Sequence, residues 1–566
     1  MRVVRRIVVA LLAIIGTFTL LAVAATAFAV WRLKLEPQAL PDRILLTADW
    51  RASLGETAGP PDLLNMRFRP APTVTDTVLA LDAAAKDPRV RGLVVRLAET
   101  EHGFAVAQEL REAVLRFRAA GKFAIAEADT FGELGSGNEG YYIATACELI
   151  ALQPGGLVGL TGIGVQVPFA RDLLASLGIR MEVLRRAEFK SAFESLTDSA
   201  ISGPNRLQLE ALLDSLNKQL VTAIAEQRRL SPEQVQALID RAPLSADEAK
   251  EAKLVDMLYY HDQVMTSALG RAQGSKPVDL DDYGAAGISA PAQPAARVAL
   301  VRAAGLIRRG EGALGTEIAA DDLVENLEDI AHDPGFAAVL LRLDTGGGSA
   351  VASESIRRAL IELRGANKPV IVSMSNTAAS GGYWIAMGAE RVIAQPATLT
   401  GSIGVIGGKP VLEELWRKLG VNWATITRGA HAGDWSVNEP FSDSARARVD
   451  ALIGWLYDRF TSLVAEARGL PQQRVDEIAR GRVWSGEDAA RLGLVDETGG
   501  LDEALAAVRQ SLKLPADAPL AISVRPVETN PLRAFLRSLS PVGAYIRALL
   551  APNGQLAAIA PPFSAR

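Results

Sequence analysis

Two residues able to do chemistry stand far apart in the chain, Ser380 in "SNTAASGGYWIAM" and Lys190 in "RRAEFKSAFESLTD". Ser380 ends an apolar run that reads as a strand, and "GGYWIAM" opens what reads as a helix, so the hydroxyl stands at the end of an element with a helix N-terminus aimed at it. A serine so placed suits nucleophilic attack if a base takes its proton. None of the four histidines, His102, His261, His332 and His431, sits in a pattern that announces a base. His431 has no carboxylate pattern to orient it and reads as incidental. Lys409, in "GGKPVL", reads as a lysine on a loop surface. A lysine serves as base when burial lowers its pKa from about 10.4 toward neutrality, each tenfold costing about 1.4 kcal/mol. Phe189 and Phe193 flank Lys190 and are candidates to desolvate it; Arg185 and Arg186 would add positive potential, while Glu188 and Glu194 would oppose it.

Acyl chemistry also needs N–H groups aimed at a developing oxyanion. "RLDTGGGSA" supplies Gly346, Gly347 and Gly348 between a strand and a helix, where the backbone can approach a ligand closely. Gly381, directly after Ser380, opens the helix there.

The elements that must position these residues are written twice. "CELIALQPGGLVGLTGIGVQV" from Cys147 resembles "AERVIAQPATLTGSIGVIG" from Ala389, and "LSADEAKEAKLVD" from Leu244 resembles "WSGEDAARLGLVD" from Trp484. In each copy short apolar strands alternate with amphipathic helices, which predicts an α/β fold with a largely parallel sheet. The expected organisation is an anchor at 1–34, a first repeat at 44–273, a linker at 274–297, a second repeat at 298–514 and a tail at 515–566. Within the tail, "PLRAFLRSLSPVGAYIRALLAP" reads as an amphipathic packing helix. The copies differ reciprocally: Ser380 falls on Asn138 in the first copy, whereas Lys190 falls on or near Ala432 in the second, which holds no lysine between Lys418 and Lys513. One site built from both halves leaves the redundant partners free to drift.

With 49% hydrophobic and 22% charged residues, a net charge of -5 and no long basic run, nucleic acid is not an expected partner. The stretch Ile7 to Trp31 is uncharged and follows Arg2, Arg5 and Arg6. It is long enough, at about 1.5 Å per helical residue, to cross a hydrocarbon layer of about 30 Å. The arginines predict a cytoplasmic N-terminus, with all that follows Trp31 on the other side. A cleaved signal peptide ending near "AFA" is the rival reading. A single cysteine, Cys147, allows no internal disulfide.

The serine motif "NTAASGGYWIA", the anchor and the two repeats resemble the long form of the signal peptide peptidase A (protease IV) family, over nearly the whole chain. The resemblance implies tandem Clp-protease/crotonase-like domains after a transmembrane helix, sharing one Ser-Lys dyad, with Ser380 as nucleophile and Lys190 as general base. "TGSIGV" at Thr400 to Val405 resembles a further family segment and implies that Ser402 orients the lysine amine. The family's glycine loop usually carries Ser-Pro before two glycines, where this chain has Thr345 and Gly346. Gly347 is then the expected oxyanion donor, with Gly348 and Gly381 completing the site. The resemblance further implies a serine endopeptidase that degrades cleaved signal peptides and other apolar peptides. It would act as a homotetramer in the bacterial inner membrane, with periplasmic catalytic domains and no metal or other cofactor. Readings from other classes are a crotonase-like acyl-CoA enzyme and a non-catalytic membrane scaffold of the same fold.

Overall fold

The computed structural model describes residues 40–57, 71–133, 135–287, 293–312 and 317–525, together with 16–19, 21–22, 291 and 557–559. The expected anchor at Ile7 to Trp31 lies largely outside these residues, and the amphipathic segment of the tail lies entirely outside them. No helix among the described residues is long and apolar enough to cross a membrane.

Two sheets repeat one order of parallel strands. The first runs Met257–Leu258, Leu149–Leu152, Phe123–Ala128, Val90–Leu97, Ile44–Asp49, Lys276–Asp279. The second contains Glu497–Thr498, Arg391–Ala394, Val370–Ala379, Ala338–Thr345, Ala296–Ala304, Leu520–Arg525 in the corresponding order. Near-continuous apolar runs such as "AVLLRL" form these strands because both faces of each sheet are covered. Smaller features are duplicated as well. The 26-residue helices Gly203–Arg228 and Asp443–Arg468 are each capped by a serine, Ser202 and Ser442. Each repeat also carries an Arg–Asp pair and a buried tyrosine bonded to a carbonyl: Arg228–Asp256 with Tyr141 to Leu254 in the first, Arg468–Asp496 with Tyr383 to Leu494 in the second.

The structure differs from the sequence reading at both ends of the second repeat. Lys276–Asp279, in the stretch read as linker, and Leu520–Arg525, in the stretch read as tail, are matching edge strands of the two sheets. Lys276–Asp279 is short and polar, and Leu520–Arg525 follows a proline-rich turn, so in each case the adjacent sheet edge supplies the pairing.

Alternation along the second sheet ties the halves together. Val298, Leu300 and Leu340 join the core of the first repeat, whereas Ala299, Val301 and Leu341 face the second repeat's own core. A third sheet mixes the repeats: its order is Glu317–Ala319, Leu306–Arg308, Gly347–Ser349, Ala557–Ile559, Ile406–Val411, Arg180–Arg185. Arg180–Arg185 of the first repeat pairs antiparallel with Ile406–Val411 of the second, carrying the chain toward Lys190.

Candidate active site

The strand Val370–Ala379 has ten residues against six in its counterpart Phe123–Ala128. Its extra length pairs Thr377, Ala378 and Ala379 with Leu399, Thr400 and Gly401, so the next residues, Ser380 and Ser402, emerge side by side. The helix Gly381–Ala386 follows at once. Ser380 takes φ 56°, ψ −111°, a strained conformation for a residue with a side chain, held by its N–H donating to Gly401 O and its carbonyl accepting from Trp384 N. Such a sharp strand-to-helix turn presents a hydroxyl at the end of a sheet.

Lys190 approaches from the first repeat, between Arg180–Arg185 and the short helix Glu194–Thr197. Its flanks are fixed by the long helix Gly203–Arg228, where Gln208 Nε2 donates to Phe189 O and Ser191 Oγ, and Ser191 Oγ donates to Asn205 Oδ1. Lys190 Nζ then lies 2.7 Å from Ser380 Oγ and 3.0 Å from both the hydroxyl and the carbonyl oxygen of Ser402. All three residues are fully buried.

Burial holds the lysine amine well below its ordinary value, and desolvation is the sole cause. The flanking charges expected to modulate it act elsewhere. Glu188 pairs with Arg480, Arg186 with Asp450, and Glu194 binds Ser202 N and Asn205 Nδ2. Arg185 reaches the lysine's carbonyl oxygen, 3.4 Å away, rather than its amine. A buried amine with a lowered pKa beside a hydroxyl is the arrangement that general-base chemistry requires.

Gly347 and Gly348 form a short strand at φ 109° and 156°. The Gly347 N–H donates to Thr345 Oγ1 at 3.0 Å, so that amide is engaged and must leave the threonine before it can reach an oxyanion. Thr345, the departure from the family's loop, therefore bears directly on the donor expected from sequence. Gly348 N lies 3.2 Å from where a Cβ on Gly381 would stand, and Gly381 N begins a helix whose first amides lack intrahelical acceptors. Both residues thus lie close together beside Ser380.

Elsewhere the expectations divide. Asn138, in the first copy's serine position, donates through Nδ2 to Gly162 O and builds no counterpart site. His431 sits on an exposed stretch, paired with Asp434 at 2.6 Å. Lys409 corrects the reading of a loop surface: it is 3% exposed, on the strand Ile406–Val411. Its ammonium donates to the carbonyls of Asp434, Ser436 and Glu439, and a ring of carbonyls satisfies a buried cation without exposing it. Two glycines escaped the sequence reading. Gly404 and Gly481 border the lysine, the first against Cδ of the side chain and the second against its main chain. The signal available was the glycine in "RGRVWS", whose counterpart segment "DRAPLS" has none.

A family model described as peptidase family S49 matches residues 118–273 and 362–515, once in each repeat. The chain is 31% identical over 475 residues to Serine protease SPPA, chloroplastic, of Arabidopsis thaliana, covering 81% of this chain and 69% of that one. It is 33% identical over 453 residues to Protease 4 of Salmonella typhi, covering 78% and 72%. A shorter match, 33% identical over 193 residues and covering 34% and 56%, is to an Enterococcus faecium protein whose name is that of signal peptide peptidase SppA. With a family match in each repeat and relatives aligned over more than two thirds of their own length, the chain belongs to peptidase family S49 and is a serine protease.

Proposed function

We propose that this serine protease is a membrane-anchored endopeptidase that cleaves signal peptides and other extended apolar peptides by a Ser380–Lys190 dyad. The observation that carries the reading is the 2.7 Å approach of Lys190 Nζ to Ser380 Oγ between two repeats, with the amine held below its ordinary pKa by burial. Ser380 Oγ attacks the scissile carbonyl carbon while its proton passes to Lys190 Nζ, and the carbonyl electrons move onto oxygen. The amides of Gly348 and Gly381 receive that oxyanion. Collapse expels the amine, which takes the proton back from the lysine; water then cleaves the acyl-enzyme, with the same lysine as base. Ser402 orients the lysine amine.

The slot beside Ser380 supports an extended peptide as substrate. The strands Gly347–Ser349 and Ile406–Val411 stand one strand apart, and the chain's own Ala557–Ile559 lies between them, antiparallel to Gly347–Ser349. A strand added to two exposed edges gains main-chain hydrogen bonds whatever its sequence, and side-chain pockets then select. The Enterococcus faecium relative's name supports signal peptides as the substrate class. The uncharged stretch Ile7 to Trp31 supports an inner-membrane anchor with the catalytic repeats in the periplasm. Two Clp-protease/crotonase-like repeats bounded by an anchor and a tail, and assembly as a homotetramer, complete the proposal from family resemblance.

A fluorophosphonate probe followed by peptide mass analysis tests the nucleophile. The adduct is expected on Ser380, and Ser380→Ala and Lys190→Ala are each expected to lower peptide hydrolysis by about 10⁴-fold or more. An adduct on another residue of active enzyme, or a Lys190→Ala variant with wild-type turnover, overturns the dyad.

A further inference from the structure

We propose that Gly481 is a positioning residue for the reaction, holding the main chain of Lys190 and turning the amine's lone pair toward Ser380. The inference rests on the reading of Ser380 and Lys190 as nucleophile and base, and adds an element to it that lies 291 residues from the lysine in sequence.

The first observation is steric. Gly481 adopts φ +79°, and a Cβ there would stand 2.6 Å from Lys190 N, 2.7 Å from its Cβ and 2.8 Å from its Cα. These atoms belong to the main chain and its first carbon, which cannot swing aside as the end of a flexible side chain would. Glycine is thus required twice over, for the left-handed conformation and for the contact. By contrast, a Cβ on Gly404 would stand 3.2 Å from Lys190 Cδ, a contact with the flexible part of the side chain.

The second observation is the pattern of hydrogen bonds made by three consecutive residues. Arg480 O accepts from Phe189 N, directly before the lysine, at 3.1 Å. Gly481 N donates to Ile403 O at 2.8 Å, and Arg482 O accepts from Ser402 N at 2.7 Å. The loop therefore clamps the backbone of the lysine to the backbone of the serine that orients it. Its outer side is braced by the Arg482 guanidinium, 5.3 Å from the Phe189 ring centroid and 4.0 Å from that of Trp484, and by the Arg480–Glu188 pair.

The third observation concerns protons. Ser402 Oγ lies 3.5 Å from Gly481 O, so its hydroxyl proton has an acceptor on the side away from the lysine. Ser402 then offers the amine two acceptors, its hydroxyl and carbonyl oxygens, both at 3.0 Å. A neutral amine has two N–H groups and one lone pair. With both N–H groups donated to Ser402, the lone pair is left facing Ser380 Oγ at 2.7 Å, the orientation needed to receive the serine's proton.

The test uses the full chain with Gly481→Ala, a fluorogenic apolar peptide, and fluorophosphonate end-point labelling to count competent serines. The expected result is a loss of about tenfold or more in kcat per labelled serine, with KM nearly unchanged. The acid limb of the pH profile should move upward, because a displaced lysine is less fully desolvated. A fall in labelled protein with normal kcat per labelled serine and an unmoved acid limb would mean that Gly481 only supports folding, and would overturn the proposal. If Gly481→Ala does not fold, Arg482→Lys serves instead. It keeps the charge, adds no clash and loses the planar stack on two rings, so the acid limb should move in the same direction by less; an unmoved limb overturns the inference. Lys190→Ala separates the two levels. Wild-type hydrolysis in that variant removes the dyad and this inference together. An inactive Lys190→Ala beside a wild-type Gly481→Ala removes this inference alone.

Discussion

Ser380 at φ 56° and Ser402 at φ 49° are two side-chain-bearing residues in left-handed backbone, facing one buried amine. Strain of this kind persists only where surrounding structure over-determines it, and here adjacent strand ends do so. The amine sets the pH behaviour. Its pKa is lowered by burial, and the proposed dyad uses the neutral form, so kcat/KM should rise with pH through that lowered value and then level. A profile flat on the acid side would remove lysine as base where chemistry limits the rate. The same shift has a stability consequence of definite sign. Between the folded and unfolded pKa values the unfolded chain binds more protons at Lys190, so this residue's contribution to stability becomes more favourable as pH rises across that window. Lys190→Met lacks this proton. Denaturant melts should show wild type gaining stability relative to Lys190→Met from neutral pH toward about 10.4, the unfolded lysine's value; parallel pH curves would contradict the burial argument.

At the level of elements, strand length decides where the serine stands. The pairing of Thr377–Ala379 with Leu399–Gly401 extends the strand past the point where its first-copy counterpart stops, and Ser380 is the first residue beyond. The slot between Gly347–Ser349 and Ile406–Val411 is likewise a product of pairing. On the proposed reading, a peptide substrate takes the slot in which Ala557–Ile559 lies, and the chain's own segment then competes with it. Removing residues 526–566 should therefore lower the apparent KM for a short apolar peptide several-fold, read from initial rates. An unchanged KM would show that the segment stays out of the slot in solution. Lys409 matters at this level too, since its three carbonyl contacts fix the stretch Asp434 to Glu439 against the slot's far strand.

For the whole molecule, the site exists only because the repeats share a core and a buried charge cluster. Arg342 of the second repeat is 1% exposed and binds Glu56 at 2.7 Å, Glu109 of the first repeat, and Ser373 at 2.8 Å. The guanidinium holds Glu56 below its ordinary range, while burial leaves Glu109 raised. Asn376 adds a neutral clamp, accepting from Val106 N and donating to His102 O across the same interface. Removing the arginine leaves two buried carboxylates without their cation. Arg342→Met should cost about 3 kcal/mol or more in chemical denaturation. Activity should fall with it, since Asp344, Thr345 and Gly347 follow on the same strand and loop. A loss below about 1 kcal/mol would show that the cluster is not what joins the repeats.

How much of this was legible in one dimension follows from which interactions are local. Apolar runs and helix spacing specify the α/β alternation, because the period of side-chain burial is a property of consecutive residues. Comparing the two copies exposes Ser380 against Asn138 and Lys190 against its lost mate, since a duplication carries its own reference. What tertiary structure alone decided is everything that depends on partners distant in sequence. These include the edge strands at Lys276–Asp279 and Leu520–Arg525, the carbonyl ring that buries Lys409, and the threonine hydroxyl that engages the Gly347 amide. They include above all the loop at Gly481 that meets Lys190. A sequence names the residues able to do chemistry. The proposed direction of the lysine's lone pair depends on contacts among the stretches at Lys190, Ser402 and Gly481, and only folding brings those together.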